Sequence, residues 1–281
     1  MPAVWRSPAG PDIVSPANPR IKHLVALRRR RVRQQAGVTL VEGYEELRLA
    51  LSAGVRPQAL YYCPDLAAPG TQGLASQVAG AGAEVIAVSR PVFGKIAYRE
   101  APDGWLAVVP AVPTSLAGLP DSGRPLVLVC EGVEKPGNLG AMLRTADAAG
   151  VTAVVAADPV ADWGNPNVVR ASKGTVFSVP VAAASSDEVL AWLSGRGLAL
   201  VVTSPAARTP VTEVDLTGPV ALAVGSEKSG LPEQWLDRAD HQVSIPMFGH
   251  ADSLNVATSA ALITYEAVRQ RLAAGLMRPA R

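Results

Sequence analysis

Cysteine and histidine are scarce in this 281-residue chain. Cys63 and Cys130 stand too far apart for a metal knuckle or a redox pair, so both read as small buried hydrophobes in a reducing, cytoplasmic setting. His23, His241 and His250 form no H-E-x-x-H and no Cys/His cluster, and no metal is expected. No apolar run approaches the roughly 20 residues of a membrane helix. The first thirty residues carry prolines and arginines instead of the apolar stretch of a secretion signal. Nucleotide-binding signatures are missing too. There is no G-x-G-x-x-G, and Gly225 to Gly230 has P-loop spacing but runs into Leu231-Pro232 where Lys and Ser/Thr are required. A dinucleotide-dependent dehydrogenase or a nucleotide triphosphatase is therefore disfavoured.

What is present is a chain able to bury a core: 48% hydrophobic, 18% charged, mean hydropathy +0.20, and long enough for two domains. Its formal charge of +2 conceals an asymmetry. Residues 1–33 hold Arg6, Arg20, Lys22, Arg28, Arg29, Arg30, Arg31 and Arg33 against Asp12 alone. Of the 26 basic and 24 acidic residues, 18 and 23 then remain, so everything after Arg33 is net −5. A coding bias toward arginine would spread such charge along the chain; this charge is clustered. Between Arg20 and Arg33 the apolar Ile21, Leu24, Val25 and Val32 recur at helical spacing. The pattern predicts one helix docked on its domain, turning Arg20, Lys22, Arg28, Arg29, Arg30, Arg31 and Arg33 either to a polyanion or simply to solvent.

From Thr39 to Val109, short strand-like runs (39–41, 60–62, 85–88, 105–109) alternate with helical stretches, of which 44–53 is the clearest, ended by Gly54. Pro110 to Pro125 holds four prolines and reads as a linker. Beyond it, 126–130, 153–157, 198–202 and 220–224 are continuous apolar runs, the pattern of parallel strands buried on both faces. Ligands of such sheets bind outside the carboxyl ends of the strands, which singles out Glu131-Gly132, Asp158-Pro159, Thr203-Ser204-Pro205 and Gly225-Ser226-Glu227.

Three segments carry candidate chemistry. In Asn138 to Ala146, Asn138 is a predicted N-cap and Leu139, Met142, Leu143 and Ala146 a buried stripe. Arg144 projects roughly 140° from Leu139, free for a ligand or for a surface pair with Asp147. In Val224 to Leu231, a buried strand ends in a glycine-bracketed loop around Glu227, an ordinary turn or a place where backbone approaches a ligand. In Ile245 to Ala260, a short strand and loop lead into a helix expected over 254–274, with Ser253 or Asp252 as cap and Asn255 in the first turn.

Together, N-L-G-A-M-L-R-T-A, V-G-S-E-K-S-G-L and I-P-M followed by S-L-N-V resemble the three motifs of the SpoU class (TrmH-like, SPOUT superfamily) of RNA 2′-O-ribose methyltransferases. Arg170 to Gly174 and Val179-Pro180-Val181 fit the stretch between the first two. Asn18 to Lys22, Val41-Glu42-Gly43 and Gly104 to Val108 are similar to the ribosomal-protein-like domain that precedes the catalytic one in part of that family. The resemblance implies an α/β fold, a parallel sheet with a C-terminal trefoil knot after a small α/β domain. It implies an RNA substrate-binding domain over 1–110, a linker over 111–124, a catalytic domain over 125–281, and a homodimer. S-adenosyl-L-methionine would be the cofactor, held by Thr203, Ser204, Pro205, Gly225, Ser226, Glu227, Ile245, Met247, Ser253 and Leu254. Arg144, Asn138, Glu227, Ser253 and Asn255 would be catalytic, Arg144 as base or as phosphate ligand. The substrate would be ribosomal RNA (23S), and relatives of this type protect ribosomes from antibiotics. A transfer-RNA methyltransferase and a non-catalytic RNA-binding protein of ribosomal-protein type are the alternatives.

Overall fold

The computed structural model describes residues 10–279; Arg6 of the basic segment lies outside them. By internal contacts the chain forms two compact units, one of residues 1–112 with 163–178 and one of 113–162 with 179–281.

In the first unit, α1 (Pro19–Ala26) and α2 (Arg30–Ala36) precede β1 (Val38–Glu42) and α3 (Tyr44–Ser52). There follow β2 (Ala59–Tyr62), α4 (Gly73–Gly80), β3 (Glu84–Ala87), α5 (Arg90–Ile96) and β4 (Trp105–Pro110). The strands order as β1-β4-β2-β3, with β4 antiparallel to both neighbours and β2 parallel to β3. Ile21, Leu24 and Leu27 join Leu40, Phe93, Ile96 and Leu106 in its core. The expected single basic helix is two helices, because Arg29 is extended (φ −82°, ψ 128°) and breaks it. Arg33 explains the break's stability. Only 3% exposed, its Nη1 donates to the carbonyls of Leu27 (3.1 Å) and Arg28 (2.9 Å) at the open end of α1. Arg33 is thus removed from the basic face. Arg28 donates to the carbonyls of Lys95 and Ala97 and lies over the Tyr98 ring, and Arg20 pairs with Glu84 at 2.7 Å. Lys22, Arg29, Arg30 and Arg31 are exposed.

The second unit runs through β5 (Leu126–Glu131), α6 (Pro136–Ala149) and β6 (Ala153–Ala157), after which the chain leaves it for α7 (Pro166–Ala171). It returns as β7 (Val181–Ala184), α8 (Ser186–Gly195), β8 (Ala199–Thr203), β9 (Thr209–Pro210) and β10 (Val220–Val224), then α9 (Glu233–Asp237), β11 (His241–Ser244) and α10 (Val256–Ala273). All seven strands pair in parallel, in the order β7-β6-β5-β10-β8-β11-β9. The buried apolar runs are strands, as their pattern predicts. The strand expected at Ile245 ends one residue earlier, because Pro246 has no N–H to extend a ladder. The proline-rich segment after Pro110 is not a free linker over its length: Leu119 is in the second unit's core and the Thr114 carbonyl accepts from Ala183 N–H. Arg271 of α10, buried, donates to the carbonyls of Leu216, Arg124, Pro125 and Gly218 at 2.6–3.1 Å, fastening that helix to the loops below β5 and β10. No helix among the described residues is long and apolar enough to cross a membrane.

The segment 163–178 sits in the second half of the sequence and packs in the first unit. There α7 lies against β1 and the turn 175–177 against α3, burying Trp163, Val168, Val169 and Val176. Gly174 has φ +85°, and a Cβ on it would press within 3.0 Å of the Glu46 carbonyl oxygen. Deleting residues 1–110 should therefore leave the amides of 166–178 unprotected in hydrogen–deuterium exchange while those of β5, β10 and β8 stay slow. A strap that kept its protection would fold without the first unit.

Candidate active site

Because β5, β8 and β10 are apolar along their length, polar groups collect where they end. A cavity of about 720 Å³ opens there, bounded by the segments after β8 and β10 and by the chain from β11 into α10. Its volume lies within the range of small-molecule sites. All ten residues expected to hold a cofactor line it: Thr203, Ser204 and Pro205 after β8, Gly225, Ser226 and Glu227 after β10, and Ile245, Met247, Ser253 and Leu254 before α10. The other two strand-end pairs do not. Asp158 instead accepts Ser186 N–H at 3.1 Å at the start of α8. The buried Glu131 carboxyl beside it is pushed up from its ordinary pKa, by burial first and by Asp158 second.

The wall after β10 is a closed loop. Ser226 and Gly230 exchange backbone hydrogen bonds (3.2 and 3.0 Å), and the hydroxyls of Ser226 and Ser229 meet at 2.8 Å. A Cβ at Gly225 would run into the backbone of Gly230 and Leu231, so the loop can close only over a glycine. Closure aims Glu227 at α6, where Asn138 Nδ2 donates to Glu227 Oε1. The oxygen of the same amide accepts from Asn255 Nδ2 at 3.3 Å. Three segments far apart in sequence thus meet through three side chains.

Two caps differ from expectation. Lys135, not Asn138, is the residue before α6, with Pro136 in the first position; Asn138 lies one turn in and its side chain is available to reach Glu227. Asn255, not Ser253 or Asp252, caps α10, accepting Ala257 N–H at 3.0 Å. The half-buried Leu254, turned into the cavity wall, holds the chain off the helical path until Asn255. Asn255 therefore caps with its oxygen and binds Asn138 with its nitrogen.

Glu227, Ser253 and Asn255 line the cavity, Asn138 is bonded to two of them, and Arg144 does not line it. Exposed on α6, Arg144 stands about 9 Å along the helix from Asn138 and about 120° round it. The expected stripe of Leu139, Met142, Leu143 and Ala146 is buried. The sequence reading did not single out Lys135, Ser229, Val243 or Ser259, which also line the cavity. Ser259 was findable, being one helical turn beyond Asn255.

An α/β protein with a parallel sheet and a ligand-sized cavity at its strand ends is the class so defined. The profile of the SpoU rRNA Methylase family matches residues 125–265, and that of an MRM3-like substrate binding domain matches residues 18–107. The chain belongs to the SpoU rRNA methylase family. It is 34% identical over 275 residues, 95% of each chain, to the 23S rRNA (uridine(2479)-2′-O)-methyltransferase of Streptomyces viridochromogenes. A solved RNA 2′-O ribose methyltransferase shares 45% identity and superposes with a TM-score of 0.82, over 92% of this chain and 99% of that one. The SpoU methyltransferase AviRb of S. viridochromogenes, solved in complex with AdoMet, shares 34% identity with a TM-score of 0.83 over 91% of this chain and all (100%) of that one.

The double use of Asn255 gives a test. Asn255→Ala should cost about 1 kcal/mol in urea unfolding through the lost cap. Asn255→Ser keeps a cap oxygen but not the reach to Asn138, and should unfold close to wild type. Equal destabilisation by both would mean that the bond to Asn138, not the cap, holds the helix start.

Proposed function

We propose that the chain transfers a methyl group from S-adenosylmethionine to a ribose 2′-hydroxyl of RNA, with 23S ribosomal RNA as substrate. The observation that carries this reading is the linkage of Asn138, Glu227 and Asn255 at the edge of the cavity. The cavity fits the donor chemically. Val224, Val243, Ile245, Met247 and Leu254 offer an apolar slot for a purine, the 203–205 and 225–230 segments offer backbone groups and hydroxyls, and Glu227 and Asp252 place two carboxyl side chains beside it. These would suit a cationic ligand. Bound there, S-adenosylmethionine supplies a methyl group already activated on sulfonium.

The remaining work is alignment and removal of a proton from a weak acid. Asn138 and Asn255 fix Glu227, which with Ser253 orients the ribose. A guanidinium offers N–H donors and no acceptor, so Arg144 is assigned here as a ligand and not as the base. As a phosphate ligand its planar fork would hold the target backbone and favour the ionised hydroxyl. The first unit serves as the RNA-binding domain, with Lys22, Arg29, Arg30 and Arg31 as its phosphate contacts and residues from 113 onward, apart from the strap, as the catalytic domain. Insertion of β11 between β8 and β9, inside the segment that joins β8 to β10, supports a C-terminal trefoil knot. The exposed Leu262, Tyr265, Leu272 and Leu276 along and just past α10 support a homodimer through that helix.

Two measurements test the reading. Calorimetric titration should show S-adenosylmethionine binding, and ribose-methylation mapping of RNA from an expressing host should show a new site in 23S RNA. A new signal confined to transfer RNA would reassign the substrate. In single-turnover methylation, Arg144→Ala should lose about 10²-fold or more in rate with donor affinity unchanged, since its neighbours Met142 and Leu143 keep the core face. Full activity of that variant would remove Arg144 from the mechanism.

A further inference from the structure

The chain has three phenylalanines, and they are placed differently. Phe93 is fully buried and Phe177 partly buried, whereas Phe248 is 99% exposed. No other large hydrophobic side chain among the described residues is left so bare. Its position is specific. On one side Ile245 and Met247 line the cavity, on the other Asp252 to Asn255 do, so residues 248–251 form the outward bend of a segment anchored to the cavity at both ends. Phe248 thus lies in the short stretch between two segments of the cavity wall.

The surroundings separate two explanations for an exposed aromatic. A protein partner is met by a contiguous apolar surface, such as the row of Leu262, Tyr265, Leu272 and Leu276. Phe248 has instead Met247 before it, 39% exposed and part of the cavity wall, and Gly249, His250 and Ala251 after it, all exposed, so its neighbours in sequence carry no large apolar surface away from the cavity. A single uncovered ring beside a reactive cavity is what an unpaired base needs. Single-stranded nucleic acids are held by stacking of bases on aromatic side chains, and sequence-specific RNA sites are mostly unpaired loops.

Resting on the methyltransferase reading above, we propose that Phe248 is the stacking platform for an unpaired nucleobase at the target site, and so positions the ribose of that nucleotide over the cavity. The ring's flat π-face does this, not its hydrophobicity, and an aliphatic side chain of similar size cannot replace it. Phe248 does not line the cavity and contributes nothing to holding the methyl donor.

The test is single-turnover methylation of an RNA fragment carrying the mapped nucleotide, by wild type, Phe248→Ala, Phe248→Leu and Phe248→Trp. Donor affinity would be followed by calorimetry and assembly state by sedimentation. The alanine and leucine variants should lose about 5- to 150-fold in kcat/KM for RNA, and the tryptophan variant should recover most of it. Donor affinity and sedimentation should not change. Wild-type activity in the leucine or alanine variant overturns the proposal. A changed sedimentation coefficient in Phe248→Ala also overturns it, in favour of a protein contact. A wild-type enzyme that binds the donor but labels no RNA refutes the underlying methyltransferase reading, an outcome separable from the failure of Phe248 alone.

Discussion

The second unit is governed by one constraint: its central strands are covered on both faces and can hold no polar chemistry along their length. Val127, Val129, Val202, Ala221 and Ala223 all belong to its core. Polar function is displaced to the carboxyl edge, where the backbone leaves the ladder and its amides and carbonyls become available. The cavity, the closed loop at Gly225 and the contacts of Asn138 are consequences of that displacement. At the opposite end of the sheet Arg271 donates to the carbonyls of four residues in the segments that lead into β5 and β10.

Charge in the first unit is divided between structure and surface. A cluster of arginines read from sequence alone is a single basic face. In the fold Arg33 closes the end of α1, Arg28 ties that region to the chain after α5, and Arg20 pairs with Glu84. Six of the seven candidates remain exposed, all but Arg33; with Arg20 and Arg28 engaged in these contacts, the other four lie at Arg29 to Arg31 and, one helix away, at Lys22. Guanidinium suits both tasks because its several donors can serve carbonyls that an ammonium would reach one at a time.

Continuous apolar runs made β5, β6, β8 and β10 legible, since no other element of that length buries both faces. The cavity wall was legible through its motifs, and all of its expected residues gather there. Three features were not. The break at Arg29 depends on Arg33 finding carbonyls five and six residues back, which periodicity does not encode. The cap of α10 was not legible because Asn, Ser and Asp are nearly equivalent cap residues, and α6 starts ahead of Asn138 because Pro136 takes its first position behind Lys135, which makes no side-chain cap bond. The strap 163–178 reads as an ordinary stretch between strands. Only packing on β1 and α3 reveals where it belongs.

That strap has a consequence for how the protein is made. A ribosome delivers the chain from its amino end, and domains commonly fold as they emerge. Here the first unit is missing a wall until residue 178 has left the ribosome, by which time β5 and β6 of the other unit are already present. Its β1 face, bare in the interim, must wait for a sequence-distant partner, a loop closure of high contact order that slows folding. Completion of the first unit is thus timed by synthesis of the second.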